Sequence, residues 1–67
     1  MLLSQSTRYK QCKLFIKELD EYFTKENPTM AETNIASSCV FGMLVYGYSV
    51  DEVREMYPKV DTICNLT

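Results

Sequence analysis

The chain contains 67 residues with a formal net charge of −2, and 46% of the residues are hydrophobic and 24% are charged. This length allows one small domain, spanning residues 1–67, and the composition is that of a globular protein rather than a disordered one. The two glycines and two prolines are too few for a β-fold with many tight turns. Histidine is absent, which removes the commonest acid–base side chain and metal ligand.

An amphipathic helix is predicted over residues 6–25, before the helix-breaking pair Asn27 and Pro28. At 100° per residue, a set of apolar side chains falls within an arc of about 140°. These side chains are Tyr9, Cys12, Phe15, Ile16, Leu19, Tyr22 and Phe23. Leu14 lies outside the arc, so it is either incidental or part of a contact surface.

The opposite side of this first helix carries a basic stripe. The residues of the basic stripe are Lys10, Lys13 and Lys17. A cluster of this kind is either a solvated helix face or a surface that attracts an anionic partner. The sequence leaves both interpretations open.

A second helix is predicted over residues 30–46, because Thr29 and Glu32 have the spacing of a capping box. Its apolar side chains surround the whole helical wheel, a pattern typical of a helix that is buried on every side. A buried strand over residues 39–46 is the alternative, since a short apolar run does not distinguish a strand from a helix. The capping box and the lack of a partner strand favour the helix.

A helix that is apolar all round needs more protein about it than a 67-residue chain supplies. We therefore expect a homo-oligomer, most simply a dimer, with the second helix in its interface. The predicted interface residues are Ile35, Cys39, Val40, Phe41, Met43, Leu44 and Tyr46.

Gly47 is predicted to end the second helix in the left-handed conformation. Ser49 and Glu52 repeat the capping-box spacing and begin a third helix over residues 50–57, which Pro58 follows. Apolar residues at helical spacing in the tail predict a short fourth turn that packs on the core. The predicted fold class is therefore all-α, a compact three-helix domain with a C-terminal fourth turn.

The three cysteines, Cys12, Cys39 and Cys64, stand far apart in the sequence. Their odd number argues against a disulfide framework, and a zinc site needs four ligands of the Cys and His type. We expect unpaired core residues, no metal and no cofactor, in a reducing compartment. With no signal peptide and no apolar run of membrane-spanning length, we expect a cytoplasmic protein without a membrane partner.

Patterns that support catalysis are missing from the sequence. No histidine is present to activate a serine or a cysteine, and the two glycines do not form a phosphate-binding loop. The carboxylate pairs at positions 20–21 and 51–52 are adjacent, so on a helix they do not face each other. We therefore expect a binding protein and not an enzyme.

Residues 41–58 combine the end of the apolar helix with the segment G-Y-S-V-D-E-V-R-E-M-Y-P at positions 47–58. This part of the chain resembles a family of small bacterial antitoxin-like proteins of uncharacterised function, whose pattern is an apolar helix followed by G-Y-S-x-E-E-I-x-x-x-Y-P. The resemblance implies a helix–turn–helix corner and a DNA-binding or toxin-binding role. The N-terminal strand and glycine-rich segment that are usual in that family are missing here.

The predicted function is that of a small intracellular regulator or inhibitor, of the kind found in phages and mobile elements, which oligomerises and binds a protein target. A helix–turn–helix transcription regulator is the second candidate, and a structural subunit of a larger assembly is the third. Asp51, Glu52 and Glu55 would repel phosphates from the third helix, so the basic stripe is the better DNA surface. The predicted contacts to a partner or nucleic acid are Lys10, Lys13, Lys17 and Arg54.

Overall fold

The computed structural model of the chain describes residues 5–66. They form three α-helices, α1 (Gln5–Tyr22), α2 (Met30–Val45) and α3 (Val50–Met56), followed by a 3₁₀ turn over Val60–Thr62. The predicted all-α fold of three helices with a short fourth turn is confirmed. Residues 39–45 lie inside α2, so the alternative of a strand over this run is wrong.

The first helix ends at Tyr22, earlier than the predicted end at residue 25. The backbone amides of Thr24 and Lys25 donate to the carbonyl oxygens of Glu21 and Tyr22 at 3.2 and 3.1 Å. The Thr24 hydroxyl donates to the same Glu21 carbonyl oxygen at 2.7 Å. These bonds reach back three residues and use carbonyls that a continuing α-helix would need. Thr24, and not Pro28, therefore closes the last turn of α1.

Both predicted capping boxes are present at the starts of α2 and α3. The Thr29 hydroxyl accepts from the Glu32 amide at 3.1 Å, and the Glu32 carboxylate accepts from the Thr29 amide at 2.9 Å. Ser49 and Glu52 make the same pair of bonds at 3.1 and 2.9 Å. Each box satisfies two backbone amides that would otherwise have no partner in the first turn of a helix.

The Gly47 corner, residues 46–49, turns the chain from α2 into α3. Gly47 has φ of +108°, as the sequence predicts. The Tyr48 amide donates to the Met43 carbonyl oxygen at 3.1 Å, and the Gly47 amide donates to the Leu44 carbonyl oxygen at 3.2 Å. This pair of bonds is the Schellman arrangement, which satisfies carbonyls at the end of α2 and requires a left-handed residue.

Helices α1 and α2 pack as an antiparallel hairpin. Near the open end of the hairpin, Arg8 of α1 contacts Gly47, and near its closed end the hydroxyls of Tyr22 and Thr33 lie 2.9 Å apart. Helix α3 and the tail pack against the hairpin and complete one core. The buried hydrophobic residues of this core are Cys12, Ile16, Leu19, Tyr22, Ala36, Cys39, Val40, Met43, Tyr48, Val53, Tyr57, Val60 and Leu66.

This core corrects part of the predicted oligomer interface. Cys39, Val40 and Met43 are at most 6% exposed in the single chain. They pack in the same cluster as Val53 of α3 and Val60 of the 3₁₀ turn. The chain itself therefore supplies burial that the all-round apolar wheel had assigned to a second copy, and these three side chains are not available at a surface.

Candidate functional site

The candidate site is an apolar face on the α1–α2 hairpin, whose large hydrophobic side chains are 39% to 81% exposed. The residues of this apolar face are Leu14, Phe41, Val45 and Tyr46. The buried residues Val40 and Met43 lie about 140° and 160° from Val45 around α2, at 100° per residue. The side of α2 that is centred on Val45 therefore points away from the core.

Helix α3 packs on the opposite side of the hairpin from Leu14. The Tyr57 hydroxyl, just after α3, donates to Asp20 Oδ1 at 2.8 Å and lies 3.2 Å from the Ile16 carbonyl oxygen. Around α1, Ile16 and Asp20 lie about 160° and 120° from Leu14. Within residues 5–66, neither α3 nor the tail is placed to cover the apolar face.

Gly42 brings the two helices close together under the apolar face. A β-carbon at Gly42 would lie 2.7 Å from Phe15 Cε2, so only a glycine lets the Phe15 ring rest on the backbone of α2. The centroids of the Phe15 and Tyr46 rings are 6.2 Å apart. This contact places Leu14, the neighbour of Phe15, at the level of Gly42 along the hairpin.

Sequence reasoning identified only part of the apolar face. Ile35, Phe41 and Tyr46 are exposed as an interface requires, and Leu44 of the predicted set is half-buried. Val45 and Leu14, at 81% and 75%, are the two most exposed members of the face, and neither was among the predicted interface residues. The position of Leu14 outside the apolar arc of α1 was the signal for its exposure.

The four predicted contact residues do not form a single surface in the structure. Lys10, Lys13 and Lys17 are exposed on α1, and none of them forms an ion pair with another residue in the described part of the chain. Arg54 of α3 is engaged by Asp61, with Nε 3.2 Å from Oδ2. The basic stripe is therefore the cationic surface that is open to a partner.

Arg8 has a structural role that the sequence analysis missed. Its Nη1 atom donates to the Gly47 carbonyl oxygen and to Glu52 Oε1, both at 2.8 Å, and its guanidinium lies 4.9 Å from the centre of the Tyr48 ring. This ion pair and the Ser49 capping bond hold the pKa of the Glu52 carboxyl below its usual range. The sequence feature that indicates this role is the position of Arg8 four residues before the buried Cys12, which places Arg8 on the inner side of α1.

Two other polar features lie outside the apolar face. One is a groove between α1 and α2 with an acidic rim, at which Lys25 pairs with Glu32. This ion pair and the Thr29 capping bonds lower the pKa of the Glu32 carboxyl from 4.5 to about 2. Burial raises the pKa of the Tyr57 hydroxyl, and its bond to Asp20 adds to the effect. Both features are accounted for by the packing of the helices.

The cysteines lie inside or beside the core. Cys12 and Cys39 are buried and Cys64 is half-buried. Burial raises the pKa of each of these thiols, which keeps them in the less reactive protonated form. In residues 5–66, no three Cys, Asp or Glu side chains are grouped as metal ligands. None of the described helices combines the length and apolarity needed to cross a membrane.

No family profile, curated protein or solved structure matches this chain. The resemblance of residues 41–58 to antitoxin-like proteins stays a prediction. The geometry of the apolar face and of its flanking charges is therefore the basis for the functional proposal.

Proposed function

We propose that this chain is a protein-binding module that contacts its partner through the apolar face. The observation that carries the proposal is the grouping of exposed apolar side chains. Four of the eight large hydrophobic residues that are exposed, Leu14, Phe41, Val45 and Tyr46, lie within about one helical turn of the level of Gly42 on the hairpin. Scattered exposed hydrophobic residues are normal on a protein surface, but a contiguous apolar patch marks an interaction site.

The fold gains little stability from the two most exposed of these side chains, Leu14 and Val45. The core has six side chains with less than 2% of their surface exposed, and none of them belongs to the apolar face. Leu14 and Val45 leave three quarters or more of their surface in contact with solvent, so the single chain gains little from their hydrophobicity. A partner that covers the apolar face would gain from it.

Such a module acts by occupation. A chain bound through an apolar helix face acts by covering part of its partner's surface. The three cysteines, an odd number, support a reducing compartment such as the cytoplasm as the place of action. Aromatic Tyr46 at the edge of the face suits an interface, because its ring is apolar and its hydroxyl is polar.

The basic stripe supports the second candidate, a nucleic-acid-binding regulator. Helix α3 does not, because it has seven residues, its first turn carries Asp51 and Glu52, and its arginine is paired with Asp61. Retention on a DNA column that falls steeply with salt would favour this candidate. A Lys13→Gln variant with reduced retention would assign the binding to the stripe.

Site-specific photo-crosslinking tests the proposed function. A photoreactive phenylalanine analogue at Val45 samples the apolar face, and the same residue at the exposed Glu55 of α3 is the matched control. We expect a covalent adduct with another protein chain from position 45 in cells of the source organism, no adduct from position 55, and loss of the adduct on Leu14→Lys. Absence of an adduct at position 45, or equal adducts at both positions, contradicts the proposal.

A further inference from the structure

We infer that the occupant of the apolar face is a second copy of this chain, packed so that the two α1 helices run antiparallel and cross at Leu14. The inference rests on the proposed function and specifies its partner. Two observations lead to it. One is the order of charges along the outer side of α1, and the other is the position of the exposed apolar side chains along the hairpin.

Leu14 lies midway between a lysine and a glutamate on the outer side of α1. Lys10 precedes it by four residues and Glu18 follows it by four residues, so the three side chains lie on one outer stripe of the helix. All three are exposed. In a symmetric antiparallel pair centred on Leu14, residues at equal distances before and after Leu14 face each other. Lys10 of each copy then faces Glu18 of the other, and two opposite-charge contacts flank a central Leu14 pair.

This pattern specifies a second copy, in an antiparallel arrangement. In a parallel arrangement of two α1 helices, Lys10 would meet Lys10 and Glu18 would meet Glu18, and like charges across an interface oppose association. An unrelated partner would need the reverse order of charges at the same spacing. The chain itself already has that order when it is turned end to end.

The apolar side chains of α2 cluster at the same level of the hairpin. Phe15 lies against Gly42, so Leu14 is level with Gly42, and Phe41, Val45 and Tyr46 are within about one helical turn of it. In the antiparallel pair these side chains surround the two-fold axis and are covered by their counterparts.

Charge reversal tests this arrangement in the purified 67-residue chain by sedimentation equilibrium at low salt. We expect a dimer in the wild type, and a dimer dissociation constant raised about tenfold or more in each of Lys10→Glu and Glu18→Lys, because each places like charges opposite each other twice. Mixing the two variants restores opposite charges at both contacts, so we expect a mixed dimer with near wild-type affinity. Lys13→Glu makes the same charge change about 100° away from Leu14 and is the control without an effect.

Each alternative outcome is informative. A wild type that stays monomeric up to 100 µM would overturn the inference of a second copy, while a position-45 adduct with a different protein would leave the proposed function intact. A dimer whose two single variants do not recover on mixing would overturn the antiparallel arrangement at Leu14. Circular dichroism of each variant shows whether the helices are retained, so that loss of the dimer is distinguished from loss of the fold.

Discussion

Replacing Gly47 with L-alanine places a β-carbon at the one described residue whose φ is positive. Two costs are visible in the structure. At φ of +108°, an L-residue is strained by about 1–2 kcal/mol. The new β-carbon would also lie 3.1 Å from Arg8 Cδ, closer than an ordinary contact, so Arg8 must move while it holds the Gly47 carbonyl and Glu52.

Alanine also restricts the unfolded chain, which offsets the cost by about 0.4–1 kcal/mol. With the displacement of Arg8 included, we therefore expect a net loss of about 1 kcal/mol in the free energy of unfolding. In a domain of this size, each kcal/mol corresponds to roughly 4–8 °C, so the melting temperature should fall by about 4–8 °C. The melting temperature of Gly47→Val, which has a branched side chain, should fall further. Its loss of stability should exceed that of Ser49→Ala, whose lost cap costs about 1 kcal/mol.

The measurement is thermal and urea unfolding followed by far-ultraviolet circular dichroism, at several protein concentrations. A chemically synthesised chain with D-alanine at position 47 is the matched control. It adds the same number of atoms, but a D-residue favours positive φ and its methyl group replaces the other α-hydrogen. We expect this chain to be at least as stable as the wild type. An L-alanine variant that melts within 2 °C of the wild type would refute the reasoning about the corner.

Three further predictions concern polar contacts. Arg8 lowers the pKa of Glu52 in the folded state, so Glu52 contributes stability above its ordinary pKa of 4.5, and this stability is lost as the pH falls through the folded pKa. The urea midpoint of Glu52→Gln should therefore decline less on acidification than that of the wild type. Equal declines in the two proteins would contradict this. Tyr57→Phe loses the 2.8 Å bond to Asp20 and should cost about 1 kcal/mol in urea unfolding; an unchanged midpoint would show that the bond contributes nothing. Arg54→Ala removes only an exposed ion pair and should leave the melting temperature nearly unchanged, so a fall of several degrees would assign Arg54 a role in the fold.

Features that depend on neighbours in the sequence could be predicted from it. The capping boxes at Thr29 and Ser49 and the left-handed Gly47 each follow from a few adjacent residues, because helix ends have local rules. Features that depend on packing could not. The wheel of α2 gave no basis for separating the buried Val40 from the exposed Val45, since both are apolar β-branched residues and only the position of the other helices distinguishes them.

Contacts between distant parts of the chain were also beyond the sequence. Arg8 and Glu52 are 44 residues apart, and Asp20 and Tyr57 are 37 apart, and no spacing rule relates such positions. The candidate site was partly predictable for the same reason: the apolar surplus of α2 indicated an interface, but the members of that interface depend on which side the core occupies.

The two ties between α1 and the C-terminal third also fix the longitudinal register of the first helix. Arg8 and Asp20 are twelve residues apart, about 18 Å along α1. Arg8 bonds to the Gly47 carbonyl oxygen and to Glu52, and Asp20 bonds to the Tyr57 hydroxyl, each at 2.8 Å. An apolar helix face alone tolerates a slide by one turn, about 5.4 Å, because similar side chains recur at that interval. Such a slide breaks both ties at once and leaves the hydroxyl of the buried Tyr57 and the partly buried Arg8 guanidinium without these partners. Arg8 and Asp20 thus fix the position of α1 along its own axis. They exclude shifted packings, including those that would move Leu14 away from the level of Gly42.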